Sequence, residues 1–419
     1  MIAEAISYLT NQSWETLALL FWFTILFDLP RYTLGFLALA VRVCLHRSPK
    51  TLLADPAKVS VVVAGHNEAK SIAHLVASLE QQSRRPDEIV VVSDGSTDGM
   101  DRVIQRLEQA GRIDRAVILN HRGGKSAGSN LAARYATGDI LINVDGDCSL
   151  ERDALENLIK PFSDPKVGAV SGNIRVRNEK ESLIATFQEI EYEISISLGK
   201  QMSDLFGQVV CVSGAFGAFR RTAYDQVGGM APGPGEDFDL TMQLRKAGWR
   251  VRFAPDAVCA TDVPATFSGY VRQRRRWERD IVRLRYRRHA NTLDPTNGKF
   301  NLRELFHQAE FLVFHVIASV VFPFYLIWLF SLYGLFAFVV LLAIQLGLFV
   351  VDLVAILASK VIGAGPKLLA PFVFLPGYTL FQSYIARFIR LFSYAEEWFF
   401  FSSEHDTYVP KRVRLERKW

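Results

Sequence analysis

Read for the spacing of its apolar and polar positions, the chain falls into two kinds of region. From residue 58 to 262, short apolar runs alternate with amphipathic stretches. "KVSVVVAG" reads as a buried strand, Ala69 to Gln82 as an amphipathic helix, "EIVVVSDG" as a second strand, "AVILN" as a third and "DILINVDGD" as a fourth. Strands that alternate with helices predict βαβ units and a mostly parallel sheet covered on both faces. The segment "ESLIATFQEIEYEISISLGKQM" has the period of an amphipathic helix, and another helix is predicted over 238–247. Ligands of such sheets bind outside the carboxyl ends of the strands. There this chain places "GHNE", "SDGSTDG" and "DGD".

The second kind of region is apolar over the length a bilayer requires. Leu17 to Ala40, interrupted only by Asp28, Pro30 and Arg31, reads as a kinked transmembrane helix. No basic residue precedes it and no small-residue cleavage site follows, which argues against a secretory signal. Arg42, Arg47 and Lys50 follow it, whereas residues 1–13 carry no Lys or Arg, so the amino terminus is expected outside and the next segment in the cytoplasm. Two more spans are predicted, Phe311 to Phe330 and Leu335 to Leu357, joined by an uncharged "SLYG"; Lys360 and Lys367 then return the chain to the cytoplasm. Leu368 to Ala386 is broken by Pro371, Pro376 and Gly377 and followed by Arg387, Arg390 and "KRVRLERKW", and it reads either as a third span or as a re-entrant or interfacial piece. Asp352, inside the second of these spans, is costly in lipid and is expected to face a neighbouring helix or an aqueous path.

Composition agrees with this division. Half of the 419 residues are hydrophobic and the mean hydropathy is positive. Cys44, Cys148, Cys211 and Cys259 lie far apart with no C-x-x-C spacing, and read as reduced thiols in a cytosolic environment. The net charge of +5 conceals a local excess, nine arginines between Arg272 and Arg288. A nucleic-acid role has little support, since the run lies close to the apolar spans and no recognition module accompanies it. The arginines from Arg279 to Arg288 are expected along an amphipathic helix at the bilayer surface, facing anionic headgroups.

The candidate chemistry lies in the acids. If the fourth strand continues through them, Asp145 and Asp147 share a face, and two hard oxygen ligands at a strand end suit Mg²⁺ or Mn²⁺; a polar turn is the alternative. Asp94 ends the neighbouring strand and could instead cap a helix through Ser96 and Thr97. "HRGGKSAGSN" brings a glycine-rich approach with Lys125 available for a phosphate. Glu236 and Asp237 follow the glycine-rich "GPG", although an acid pair at a helix start is also ordinary charge placement. With no G-x-G-x-x-G after the first strand and no G-x-x-x-x-G-K-[ST], neither a dinucleotide fold of the usual kind nor a P-loop NTPase is supported.

"VVSDGSTDG", "GGKSAGSN", "VDGD", "VSGAFGAFRR", "GEDFDLTMQLRKAGW" and "QRRRW", in this order and between apolar spans, resemble the processive family 2 glycosyltransferases, which include the membrane synthases of chitin oligomers, hyaluronan, poly-N-acetylglucosamine and cellulose. The likeness runs from about Val59 to Trp277. It implies a Rossmann-like GT-A domain of α/β class, mostly parallel in its sheet and cytosolic, flanked by transmembrane and interfacial helices. The division expected is a transmembrane segment in 1–50, the GT-A domain in 51–262, basic interface helices in 263–304, a transmembrane region in 305–395 and a basic tail in 396–419.

By the same resemblance Asp94 contacts the nucleotide, and Asp145 and Asp147 hold the divalent metal on the diphosphate. His66, Glu68 and Lys125 belong to the donor site. Gly235-Glu236-Asp237 matches the family's T-E-D motif, with Asp237 as general base and Glu236 beside it. Ser213 and Gly214 lie in the acceptor-terminus loop, for which core packing is the alternative. Gln273, Arg276 and Trp277 match Q-x-x-R-W, the arginine on the diphosphate and the indole under the acceptor sugar. Three departures stand out: His66 where many relatives carry Tyr, Ser93 in place of the first Asp of a D-D-G-S form, and Gly235 in place of Thr. The resemblance implies a UDP-sugar donor, with UDP-GlcNAc favoured over UDP-glucose, and a polysaccharide or lipid-linked acceptor. It also implies a multi-pass protein of the inner or plasma membrane in contact with lipid, whose few spans would call for a homo-oligomer or partner subunit. A non-processive enzyme that glycosylates a lipid shares the D-x-D and R-W features.

Overall fold

The computed structural model describes residues 11–30, 33, 35, 57–205, 207, 209–296, 300, 302–361, 370–406 and 409–415. These form two compact units, one from residues within 1–46 and 291–400, the other from residues within 47–290 and 401–419.

The second unit holds an eight-stranded sheet: β1 (Val59–Gly65), β2 (Glu88–Asp94), β3 (Arg115–Leu119), β4 (Ile140–Val144), β5 (Ser149–Leu150), β6 (Val167–Val176), β7 (Phe216–Arg220) and β8 (Arg250–Thr261). Their order is β3-β2-β1-β4-β7-β6-β8-β5. The first four are mutually parallel, β7 runs antiparallel between β4 and β6, β6 and β8 are parallel, and β5 is antiparallel to β8. The valine run of β1 has no polar alternation because both its faces are covered. Val59, Val61 and Val63 pack with Ile72, Leu75 and Leu79 of α1 (Ile72–Glu80) and Met100 and Ile104 of α2 (Met100–Gln109). Val62 points the other way, onto Ala132 and Ala133 of α3 (Lys125–Tyr135). At about 25 cal/mol for each Å² of apolar surface withdrawn from water, these two layers are the main source of stability.

The remaining helices of this unit are α4 (Ala154–Ile159), α5 (Leu183–Glu191), α6 (Gly199–Leu205), α7 (Arg221–Val227), α8 (Glu236–Lys246) and α9 (Phe267–Arg283). A π-helical turn, Tyr192–Leu198, joins α5 to α6, and this run buries Phe187, Ile190, Tyr192 and Leu198. The periodic segment "ESLIATFQEIEYEISISLGKQM" thus spends much of its apolar face inside the unit.

Two expectations need correction. The fourth strand does not continue through Asp145 and Asp147. Its pairing ends at Val144 opposite Phe216, where β7 begins, and the Cys148 N–H donates to the Asp145 carbonyl at 3.1 Å, turning the chain. Of the arginines expected to face headgroups, Arg283 and Arg285 turn inward, whereas Arg287 and Arg288 are exposed. Arg283 and Arg285 are buried, Arg283 Nη2 donates to the Pro234 carbonyl at 2.6 Å, Arg285 stacks 4.9 Å over Phe238 and Arg288 pairs with Asp239 at 2.5 Å. Burial is tolerable for these guanidiniums because each meets a carbonyl, a ring or a carboxylate.

The first unit is helical, with segments Trp14–Leu20, Leu302–Phe311, Ala318–Tyr333, Ala337–Val361, Ala370–Leu380 and Arg387–Phe400. Leu20, Phe23, Phe322, Tyr325, Leu329 and Ile344 form its core, and Tyr325 donates to the Leu20 carbonyl at 2.7 Å. Leu302–Ser359 is long and apolar enough to cross a membrane; its most apolar 18-residue window has mean hydropathy 2.7, and only 28% of that window is buried within the protein. It turns at Gly334, at the predicted "SLYG". Asp352, expected to be costly in lipid, accepts from Thr379 Oγ1 at 2.7 Å, and Asp28 pairs with Arg387 at 2.6 Å. The stretch predicted as a span or re-entrant piece is helical from Ala370 onward, with Pro376 inside it. Arg31, Arg42, Cys44, Arg47, Lys50 and Lys367 lie outside the described residues. Among the described residues Cys148, Cys211 and Cys259 are free thiols.

Candidate active site

The loops that leave β1, β2 and β4 at their carboxyl ends meet the amino terminus of α3 around a cavity of about 230 Å³. Asn67 ties the first two together. It sits at φ +61°, a left-handed conformation that Asn tolerates. Its Oδ1 accepts from the Thr97 N–H at 2.7 Å and its own N–H donates to Ser96 Oγ at 3.1 Å. His66 Nδ1 donates to the Asp94 carbonyl at 2.8 Å, which leaves Nε2 to accept from Asn67 Nδ2 at 3.3 Å. The Asp94 carboxylate accepts from the N–H groups of Gly123 and Gly124 at 2.6 and 2.7 Å. It therefore shapes the glycine loop ahead of α3 rather than capping a helix through Ser96 and Thr97.

The turn after β4 brings Asp145 and Asp147 to the cavity beside Glu68. Gly146 allows this packing, because a Cβ there would collide with the Glu68 carboxylate. Burial, then the charges of Asp145 and Asp147, push Glu68 up to about 8, and burial followed by Asp145 raises Asp147. Glu68 Oε2 is buried without a hydrogen-bond partner. Lys125 answers this negative charge: its Nζ lies 2.5 Å from Asp145 and 3.9 Å from Glu236. In this structure the lysine expected to be available for a phosphate is paired to a carboxylate.

Glu236 and Asp237 occupy the first turn of α8, which starts two residues earlier than its spacing predicted. Gly235 caps it at φ +73°, and a Cβ there would come 2.8 Å from Leu284. This explains glycine where relatives carry Thr. Glu236 faces the cavity, and burial pushes it up to about 7. Asp237 turns to the loop before β7, where its Oδ2 accepts from the Gly214 N–H at 3.1 Å. The Gly214 carbonyl accepts from Asn143 Nδ2 at 2.7 Å and from Lys125 Nζ at 3.2 Å, which joins that loop to the cavity wall.

His66, Glu68, Asp94, Lys125, Asp145, Asp147 and Glu236 thus line one cavity, with Asp237, Ser213 and Gly214 adjoining it. Gln273, Arg276 and Trp277 sit on α9 and are not in the lining. Arg274 stacks 4.4 Å over the Trp277 ring. Further along the same helix, Asp280 underlies Gly235 and Arg283 holds Pro234, so α9 props the loop that presents the acid pair. Sequence reasoning missed Asn67, Asn143, Lys200 and three lining residues from the tail, Val409, Pro410 and Val413. "GHNE" contains Asn67, but nothing in the spacing marked its turn, and the tail contacts have no local signature.

A family model described as "Glycosyltransferase like family 2" matches residues 56–279, just over half of the chain. The poly-beta-1,6-N-acetyl-D-glucosamine synthase of Staphylococcus aureus is 30% identical over 239 residues, 57% of this chain and 58% of that one. An N-acetylglucosaminyltransferase of Azorhizobium caulinodans is 32% identical over 239 residues, 54% of this chain and 60% of that one. The chain therefore spans about three fifths of the length of these curated relatives. A mannosyltransferase of Pyrobaculum calidifontis, solved with GDP-Man and Mn²⁺, has the same fold, with a TM-score of 0.60 at 22% identity over 90% of this chain and 98% of that one. The match to the family model, over the segment that builds the sheet and its acidic loops, shows that the chain belongs to the family described as glycosyltransferase like family 2.

Proposed function

We propose that the chain is an inverting, processive β-glycosyltransferase that extends a polysaccharide from a UDP-sugar, UDP-GlcNAc in preference to UDP-glucose, and passes the product through its own helices. The observation that carries this reading is the gathering of Glu68, Asp145, Asp147, Lys125 and Glu236 on one cavity at the strand ends. The two curated relatives, named for N-acetylglucosamine transfer, support the choice of sugar.

Asp237 is assigned as base: it takes the proton of the acceptor hydroxyl while that oxygen bonds to the anomeric carbon and the bond to the diphosphate breaks. No acid is required, since UDP leaves as an anion whose charge is neutralised in place. Asp145 and Asp147 would hold a divalent cation, Mg²⁺ or Mn²⁺, with Glu68 alongside. The unpartnered Glu68 oxygen and the crowded carboxylates fit such a charge. When bound, the ion supplies charge neutralisation to the leaving diphosphate. Asp94 and His66 shape the nucleotide pocket, and Lys125 is placed to exchange its carboxylate for a phosphate. Gln273, Arg276 and Trp277 are assigned to the diphosphate and the acceptor sugar, and Ser213 and Gly214 to the growing end.

A multi-pass membrane location with the catalytic unit in the cytoplasm belongs to the same proposal. The apolar run Leu302–Ser359 supports it, as do Phe324, Ile327 and Leu346, each at least 60% exposed on its helices. Incubating purified protein with labelled UDP-GlcNAc or UDP-glucose plus Mg²⁺ or Mn²⁺ tests the function. Long hydrolase-sensitive chains support it; a single-sugar lipid product, or no transfer with either donor, overturns it.

A further inference from the structure

Lys200, the second residue of α6, sends its ammonium between two serines: Nζ donates to Ser171 Oγ at 2.9 Å and to Ser213 Oγ at 2.5 Å. Ser171, buried on β6, donates onward to the Gly172 carbonyl at 3.1 Å and accepts from the Ser213 N–H at 3.2 Å. Ser213 is thus held through both its hydroxyl and its backbone. The next residue is Gly214, whose N–H donates to Asp237 and whose carbonyl takes Asn143 and Lys125. A cation gripped by two hydroxyls, with burial lowering its pKa, is an expensive way to tether a loop. An apolar residue of similar length would fill the space at less cost, so the charge calls for a reason. The groups whose charges face Lys200 are Asp237 from α8 and Cys211 from the loop before β7, whose thiol burial raises well above its ordinary value. Facing Asp237 in turn, besides Lys200, are its neighbour Glu236, the Cys211 thiol and, across Gly214, Lys125 of α3.

We infer that Lys200 is a positioning residue for the acceptor half of the reaction: by holding Ser213 it fixes the Gly214 N–H on Asp237 and so keeps that carboxylate aimed. The inference rests on Asp237 being the base. Lys200 does not line the cavity, so its effect falls on turnover and not on donor affinity.

The test compares K200M, K200R, S213A and D237N, each first checked for a parental melting profile, by initial rates with UDP-GlcNAc. K200M is expected to lower kcat about 10-fold or more, with KM for the donor within about 3-fold, and K200R, which keeps donors for both hydroxyls, to recover part of that loss. S213A, which is nearly isosteric, is expected to show a smaller loss of kcat with the same unchanged KM, and it carries the test alone if K200M does not fold. The double variant is expected to be no worse than K200M, since both act through one link. Parental kcat in K200M and S213A while D237N is inactive overturns the role of Lys200 and leaves the base assignment standing. A D237N variant with parental turnover overturns both.

Discussion

At the scale of single residues, the roles of the two adjacent acids on α8 separate by what each touches. Glu236 faces the cavity and Lys125, whereas Asp237 is hydrogen-bonded to Gly214 on the acceptor side. Asp237→Asn is expected to cost about two orders of magnitude or more in kcat with UDP binding retained, as removal of a general base does. Glu236→Gln keeps the shape of a side chain that burial already holds near neutrality, and it is expected to cost less in kcat; calorimetry with UDP and initial rates on both variants check the ranking. Gly146→Ala places a methyl against the Glu68 carboxylate. Displacing Glu68 disturbs Asp145 and Asp147 together, so the apparent KM for Mn²⁺ should rise about 10-fold or more, the scale at which altered support of a metal site is felt. An unchanged metal dependence would remove Glu68 from the ion's surroundings.

At the scale of elements, the start of α8 and the end of α9 form one device. Gly235 takes the left-handed turn, and Leu284, Asp280 and Arg283 pack beneath it. Gly235→Thr restores the family's T-E-D spelling and on sequence alone reads as harmless. A β-branched residue at φ +73° with a Cβ 2.8 Å from Leu284 is instead expected to destabilise the protein by about 2 kcal/mol or more, read as a lower melting temperature. The basic run from Arg272 to Arg288, which starts on α9 and continues past its end, also changes meaning at this scale. Its spacing suggested a charged face, yet the chain folds Arg283, Arg285 and Arg288 onto a carbonyl, a ring and a carboxylate. Those partners come from positions near 234–239, which no local pattern in α9 could announce.

At the scale of the whole molecule, stability should respond to pH through groups far from the cavity. Glu189 on α5 is buried and accepts from the Val176 N–H at 2.9 Å, and burial pushes it up to about 7 from its ordinary 4.5. The folded protein therefore keeps a proton that the unfolded chain releases, so this group's contribution is full below pH 4.5 and is lost as pH rises through about 7. Glu189→Gln should match the parent in acid and exceed it in melting temperature above about pH 8. The gain is at most about 3 kcal/mol, reduced by loss of the Arg175 pairing. A variant less stable at every pH would show that the carboxylate is needed as a charge. The proposed membrane location has its own check: full-length protein should stay with the membrane fraction through an alkaline carbonate wash, and release by that wash would count against spanning helices.

What the sequence determined by itself was whatever depends on local periodicity and on side-chain chemistry at fixed spacing. The apolar runs of β1, β2 and β4 had to be strands covered on both faces, the acids had to cluster at strand ends, and the order of six motifs carried the family. The long apolar run had the length and composition of helix. Tertiary structure decided the rest, because it rests on contacts between distant positions. It ended β4 at Val144, where its partner β7 begins, and it set Asp94 on the glycine loop instead of a nearby cap. It drew Arg283 and Arg285 inward, brought Val409 and Pro410 to the cavity, and placed Lys200 between Ser171 and Ser213. A side chain's partner is chosen by the path of the whole chain, and only local periods leave their mark in the order of residues.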